Sequence, residues 1–133
     1  MVTVASFVYE RMKTELTMLN FFAPINRLGY GVFNYNLIRA YDEHVSRDIA
    51  LFPTPPDSEF DNEFTRRWIS NGRRFKRTDP SIMIFQAPWL NHFSGKPMIG
   101  LPIFELDELP ELDLAILKEL DFVLQASQWG KKV

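Results

Sequence analysis

The residues best suited to chemistry fall in three short segments that are far apart in the chain. The first is Asn26-Arg27-Leu28-Gly29-Tyr30-Gly31-Val32-Phe33-Asn34-Tyr35-Asn36-Leu37-Ile38, where two glycines separate an apolar run from a helical pattern. A glycine turn there aims backbone N–H groups at whatever lies above the end of the preceding strand. The helix start adds unpaired N–H groups and the positive end of its dipole, so a phosphate or another anion is the favoured occupant. Gly29 and Gly31 also have a plainer reading, as residues that let a tight turn reach positive φ. The second segment, Gln86–Lys96, carries Trp89, Asn91, His92 and Ser94. His92 is suited to proton transfer or to a hydrogen bond with a hydroxyl, although surface or capping histidines are commoner. Trp89 is either a stacking platform or one more packing aromatic. The third segment holds Glu105 and Asp107. Glu105 follows the apolar run Leu101–Phe104, and a carboxylate at a buried strand end needs a partner or a ligand. Asp107 reads better as a cap for the turn or for the next helix.

These segments need a scaffold, and the apolar pattern supplies one. Short apolar runs cover Leu16–Phe22, Asp48–Phe52, Ser81–Phe85, Pro97–Phe104 and Phe122–Leu124. Most are apolar at consecutive positions, as in parallel strands buried on both faces. Helical patterns lie between them. Phe33, Leu37 and Tyr41, with Ile38, give Val32–Tyr41 an apolar face. Phe60, Phe64, Trp68 and Ile69 stripe Ser58–Asn71, and Gly72 stands where a C-cap belongs. Leu112, Ile116, Leu117 and Leu120 stripe Glu111–Leu120. Alternating strands and helices imply βαβ crossovers. The expected fold is therefore α/β, a Rossmann-like doubly wound parallel sheet of about five strands in the order 3-2-1-4-5, with 2-1-3-4-5 as the alternative. In the first order the ends of strands 1 and 4 meet where the winding reverses, and ligands of open α/β sheets bind at such a point. Gly29, Tyr30, Gly31, His92 and Glu105 are expected to line that crevice.

Composition narrows the function classes. The chain has 133 residues, 46% of them hydrophobic and 14% aromatic, enough for one domain with a real core. A net charge of −2 argues against a general nucleic-acid binder. With no cysteine and two histidines, thiolate and multi-histidine metal sites are not expected. The apolar start, Met1–Val8, is too short for a membrane span and lacks a basic leader, so a soluble cytoplasmic protein is the expectation. Residues 1–15 read as an N-terminal extension and 16–133 as the domain. Ser127 looks like an N-cap at the very end, as if the domain were cut short. Arg66, Arg67, Arg73, Arg74, Lys76 and Arg77 form a basic cluster, read first as a solvated helix end that Glu105–Asp113 partly pairs. His44, at the end of the first helix, suits its dipole.

Three segments together resemble the N-terminal half of GT-B glycosyltransferases of the family-4-like group. They are Asn26–Ile38, Lys96–Pro110 with its Phe-Glu-x-Asp-x-Leu-Pro run, and Leu120–Val133 with Ala-Ser-Gln-Trp-Gly. The chain departs from the family pattern at Ala126, where proline is usual, and at Gly130, where asparagine is usual. The resemblance implies half of a two-domain enzyme that transfers a sugar from a nucleotide-sugar donor to a hydroxyl acceptor, without a metal or other cofactor. It implies donor phosphates near Gly29, Tyr30 and Gly31, catalytic roles for His92 and Glu105, and acceptor contacts from Trp89, Asn91 and Asp107. The donor-binding half is not in this sequence, so the chain alone is expected to be inactive and to expose an apolar face to a partner chain or a second copy. The rival reading is a non-enzymatic Rossmann-like binding or assembly module. A dinucleotide enzyme is disfavoured, because Phe52-Pro53-Thr54-Pro55-Pro56 offers no acidic residue after the second strand.

Overall fold

The computed structural model describes residues 3–6, 18–45, 47–52, 55–103 and 108–125. Among them are strands β1 (Leu19–Phe22), β2 (Ile49–Phe52), β3 (Ser81–Gln86), β4 (Met98–Ile103) and β5 (Phe122–Val123). Three longer helices join them: α1 (Gly29–His44), α2 (Glu63–Asn71) and α3 (Glu111–Glu119). Every pairing is parallel, in one sheet of order β2-β1-β3-β4-β5. The parallel five-strand α/β sheet is the architecture the apolar runs implied. Its order is 2-1-3-4-5 rather than 3-2-1-4-5. β3 is inserted between β1 and β4, so the winding reverses at β1/β3 and the crevice expected between strands 1 and 4 moves there.

Consecutive apolar residues serve both faces of this sheet, because side chains alternate along each strand. Leu19, Phe21, Ile49, Leu51, Ile84 and Leu101 meet Ile38 of α1 and Trp68 of α2 on one face. Met83, with Phe22, Phe85 and Met98, meets Leu90, Phe93, Ile116 and Leu120 on the other. Helices therefore cover both faces.

α2 carries the clearest local signals. Asn62 caps it by accepting from the Phe64 and Thr65 N–H groups, and the Thr65 hydroxyl accepts from the Asn62 N–H in return. The helix packs along the outer strand β2, where Asn71 Nδ2 donates to the Ile49 carbonyl at 2.8 Å. Gly72 is not a left-handed cap; its φ is −58° and the chain runs on into a 3-10 turn, Gly72–Arg74. A Cβ at Gly72 would stand 3.1 Å from the Phe52 ring. Phe75 then packs on Phe52 and Phe93, which brings the chain back across the opposite face to β3.

Two helix faces differ from the expected stripes. α1 buries Gly31, Asn34 and Ile38, whereas Phe33 and Leu37 are 43% and 37% exposed. Ile116 of α3 and Leu120 at its C-cap face the core, but Leu112 is 68% exposed.

One strand residue breaks the apolar rule. Asn20 is fully buried on β1, and neither amide atom finds a hydrogen-bond partner. An unpaired buried amide costs about 1–3 kcal/mol. Asn20→Val is therefore expected to raise the thermal midpoint by a few degrees; a lowered midpoint would show that the amide is satisfied in solution.

Candidate functional site

The loop between β1 and α1 is held by polar contacts to its own residues and to the segment before α2. Asn26 is its organiser: Oδ1 accepts from the Leu28 N–H at 2.9 Å, and Nδ2 donates to the Tyr30 hydroxyl at 3.0 Å. Asp57 Oδ2 accepts from the Arg27 N–H, and the Asp57 N–H donates to the Ile25 carbonyl. Asn34 Nδ2 donates to the Pro24 carbonyl at 2.9 Å, tying the second turn of α1 to the loop.

The two glycines lie inside α1, not in a turn before it, and no glycine among the described residues has positive φ. The reason for Gly31 is close approach. A Cβ there would collide with the Asn26 side chain and with its backbone N and O. Around Gly29 there is open space. Among the described residues the N–H groups of Gly29, Tyr30 and Gly31 have no partner; the first intrahelical bond runs from the Val32 N–H to the Leu28 carbonyl. Among the described residues no side chain caps the helix, and its own first turn holds no acidic residue. Among the described residues the positive end of α1 is thus left uncompensated at the carboxyl edge of β1.

Four rings connect this helix start to the segment after β3. The Tyr30 and Phe85 ring centroids are 5.6 Å apart, Phe85 and Trp89 6.1 Å, and Trp89 and His92 5.0 Å. The last two sit in a tight segment: Ala87–Trp89 forms a 3-10 turn, and the His92 N–H donates to the Trp89 carbonyl. Leu90 anchors it by inserting into the core. Trp89 remains 45% exposed and His92 is exposed. Residues 30 and 92 thereby share one edge, at the β1/β3 boundary.

The other expected site residues separate from this cluster. Asn91 turns toward α3, its Nδ2 3.4 Å from Glu119 Oε2. The Ser94 carbonyl accepts from the Ser81 hydroxyl, at the amino end of β3. Glu105 and Asp107 lie outside the described residues. Sequence reasoning missed Phe85, which bridges Tyr30 and Trp89; its place as the last residue of the apolar run Ser81–Phe85 was the available signal.

Among the described residues three arginines of the basic cluster are paired, none of them with residues 108–113. Arg66 pairs with Asp61, Arg67 with Asp42 and Arg74 with Asp48. Lys76 lies near Asp79, whose carboxyl is pushed up by burial and pulled back in part by that lysine. His44 does sit in the last turn of α1. Among the described residues no group of three acidic or histidine side chains converges as a metal site, and no helix is long and apolar enough to cross a membrane. Comparison with protein-family models, curated proteins and solved structures finds no match to this chain.

Proposed function

We propose that this chain is the acceptor-side domain of a GT-B-type glycosyltransferase, acting in the cytoplasm and completed by a donor-binding domain supplied by other residues or by a partner chain. The observation that carries the reading is the meeting, at the sheet's switch point, of three N–H groups unpaired among the described residues with a run of rings whose outer two, Trp89 and His92, are exposed. In this reading the Gly29–Gly31 N–H groups face the diphosphate of a nucleotide sugar, where they offset the charge that grows as the leaving group departs. Trp89 offers its face to a ring of the acceptor. The acceptor oxygen attacks the anomeric carbon, the bond to the diphosphate breaks, and the hydroxyl proton passes to a base, for which His92 is the nearest candidate on this edge. Glu105 and Asp107 keep the roles that the family resemblance implies, and Asn91, turned toward α3, drops out of the acceptor set.

A second reading, the non-enzymatic assembly module, draws on a different observation. Leu28, Val32, Phe33 and Leu37 are exposed on one helix and its approach. One pair of measurements separates the two. With uridine or guanosine diphosphate added to the isotope-labelled chain, amide shifts are expected at Gly29–Gly31 and at Trp89–His92, while the chain alone shows no sugar transfer from the corresponding nucleotide sugars. Shifts confined elsewhere, or none, together with concentration-dependent self-association in sedimentation, would favour the assembly module. Turnover by the pure chain would overturn the half-cleft reading.

A further inference from the structure

We infer that the amino edge of the sheet carries a surface that docks onto an anionic phospholipid membrane. The inference does not rest on the glycosyltransferase reading. Its first ground is a charge split. Residues 72–96 hold Arg73, Arg74, Lys76, Arg77 and Lys96 against one carboxylate, Asp79. The whole chain has a net charge of −2, so this stretch carries +4 and the remainder −6. The fold then brings the five cations to one edge. Arg74 pairs with Asp48, next to the start of β2, at 2.9 Å. The Asp79 N–H donates to the Lys76 carbonyl, and Pro80 leads into Ser81, the first residue of β3. The Lys96 N–H donates to the Asp79 carbonyl at 2.9 Å, two residues before Met98 opens β4. The starts of β2, β3 and β4 are level to within one residue. The cations therefore follow the edge across three strand spacings, about 14 Å.

Most of this charge is free. Arg73, Arg77 and Lys96 are exposed and have no ion pair among the described residues. Lys76 is exposed beside the buried Asp79. Of the carboxylates near this edge, Asp48 is held by Arg74, while Asp121 and Glu119 stand at the β5 end, where they accept from the Met98 N–H and from Asn91. The stripe is also shallow: a Cβ at Gly95 would collide with Ser81, so the segment before Lys96 lies close on β3. Free cations along a shallow edge suit a plane of anionic headgroups, where each Lys or Arg adds attraction without a shaped pocket. Nucleic acid fits less well. A single strand needs open rings for its bases, and Phe75 and Phe93 are half-buried against each other and against Phe52. A duplex needs a helix or ribbon to enter its groove, and among the described residues the stripe offers only the 3-10 turn Gly72–Arg74. The surface lies at the edge opposite the start of α1, so a bound membrane leaves the candidate site open.

Co-sedimentation with vesicles of equal parts phosphatidylcholine and phosphatidylserine is the test. The 133-residue chain is expected to pellet with them at low salt, to be released at high salt, and to stay in solution with phosphatidylcholine alone. The double variant Arg73→Gln/Arg77→Gln should lower the partition coefficient roughly thirtyfold. Arg27→Gln/Arg66→Gln removes the same charge from exposed arginines away from the stripe and should change it far less. Circular dichroism of both proteins verifies that they fold. The assignment is overturned by equal binding to phosphatidylcholine vesicles, by unchanged partition of the Arg73→Gln/Arg77→Gln protein, or by equal loss in the two double variants. Tighter binding to a single-stranded oligonucleotide than to the phosphatidylserine vesicles would also overturn it, in favour of a nucleic-acid surface.

Discussion

Gly31→Ala is expected to lower the thermal midpoint by several degrees, while Gly29→Ala leaves it unchanged or raises it slightly. The two glycines are separated by one residue in the same helix, and their surroundings differ. At position 31 a methyl group would enter the space held by Asn26, including its backbone N and O, which cannot rotate away. Relief requires moving the loop that Asn26 organises through Leu28 and Tyr30. Overpacking of this kind costs about 1–3 kcal/mol, which for a domain of this size is roughly 3–12 °C. At position 29 nothing lies within 4 Å of the added carbon, and alanine is the better helix former by about 0.5–1 kcal/mol. Parallel melting curves decide the matter. If Gly31→Ala melts with the parent, the loop is not clamped against the helix, and the glycine must be explained by something that approaches from outside.

That contrast shows where the sequence was legible and where it was not. Consecutive apolar residues in Ile49–Leu51 and Ser81–Phe85 indicated strands buried on both faces, because only such strands tolerate apolar side chains at successive positions. Trp68 and Ile69 were likewise legible, since spacing alone puts them on one side of a helix. The order of the strands was not written in any one segment. Both orders considered use the same strands, and the choice between them depends on which neighbour each edge accepts. α1 misled for a different reason: its inward face holds Asn34, bound to the Pro24 carbonyl, while Phe33 and Leu37 point outward. Hydrophobic periodicity cannot anticipate an asparagine that is buried because a loop carbonyl needs a donor. The glycine pair misled in the same way. Its spacing resembles a turn, but Gly31 answers to a contact with residue 26 that exists only once the helix is in place. That the start of α1 and the Trp89–His92 segment share one edge was legible in outline, because any sheet that reverses its winding after β1 brings those two loops together, whereas Phe85 as the ring between Tyr30 and Trp89 was not.

Trp68→Ala should be the most damaging single substitution in α2, costing about 3–5 kcal/mol and lowering the midpoint by roughly 10–20 °C. Trp68 is fully buried and packs on Tyr35 of α1 and on Phe64 one turn earlier in its own helix. Tyr35 in turn receives a hydrogen bond from the capping residue Asn62 at 3.0 Å. Removing the indole therefore empties the seam between the two helices and loosens the cap of α2 at once. The effect should reach the candidate site. Asp57 stands five residues before Asn62 and holds the Arg27 N–H and the Ile25 carbonyl, the two contacts that steady the approach to α1. Amide exchange at Arg27, Asp57 and Leu28 is thus expected to quicken in Trp68→Ala, although none of these residues touches the tryptophan ring. Trp68→Phe is the matched control. It keeps an aromatic ring in the seam and removes an indole N–H that has no partner, which offsets part of the lost volume. Its midpoint should fall well short of the alanine drop, and exchange at Arg27 should stay near the parent rate. Equal melting of all three proteins would mean that Trp68 does not join α2 to α1. A large drop without faster exchange at Arg27 would mean that the loop before α1 is held independently of the core, leaving Asn26 as its organiser.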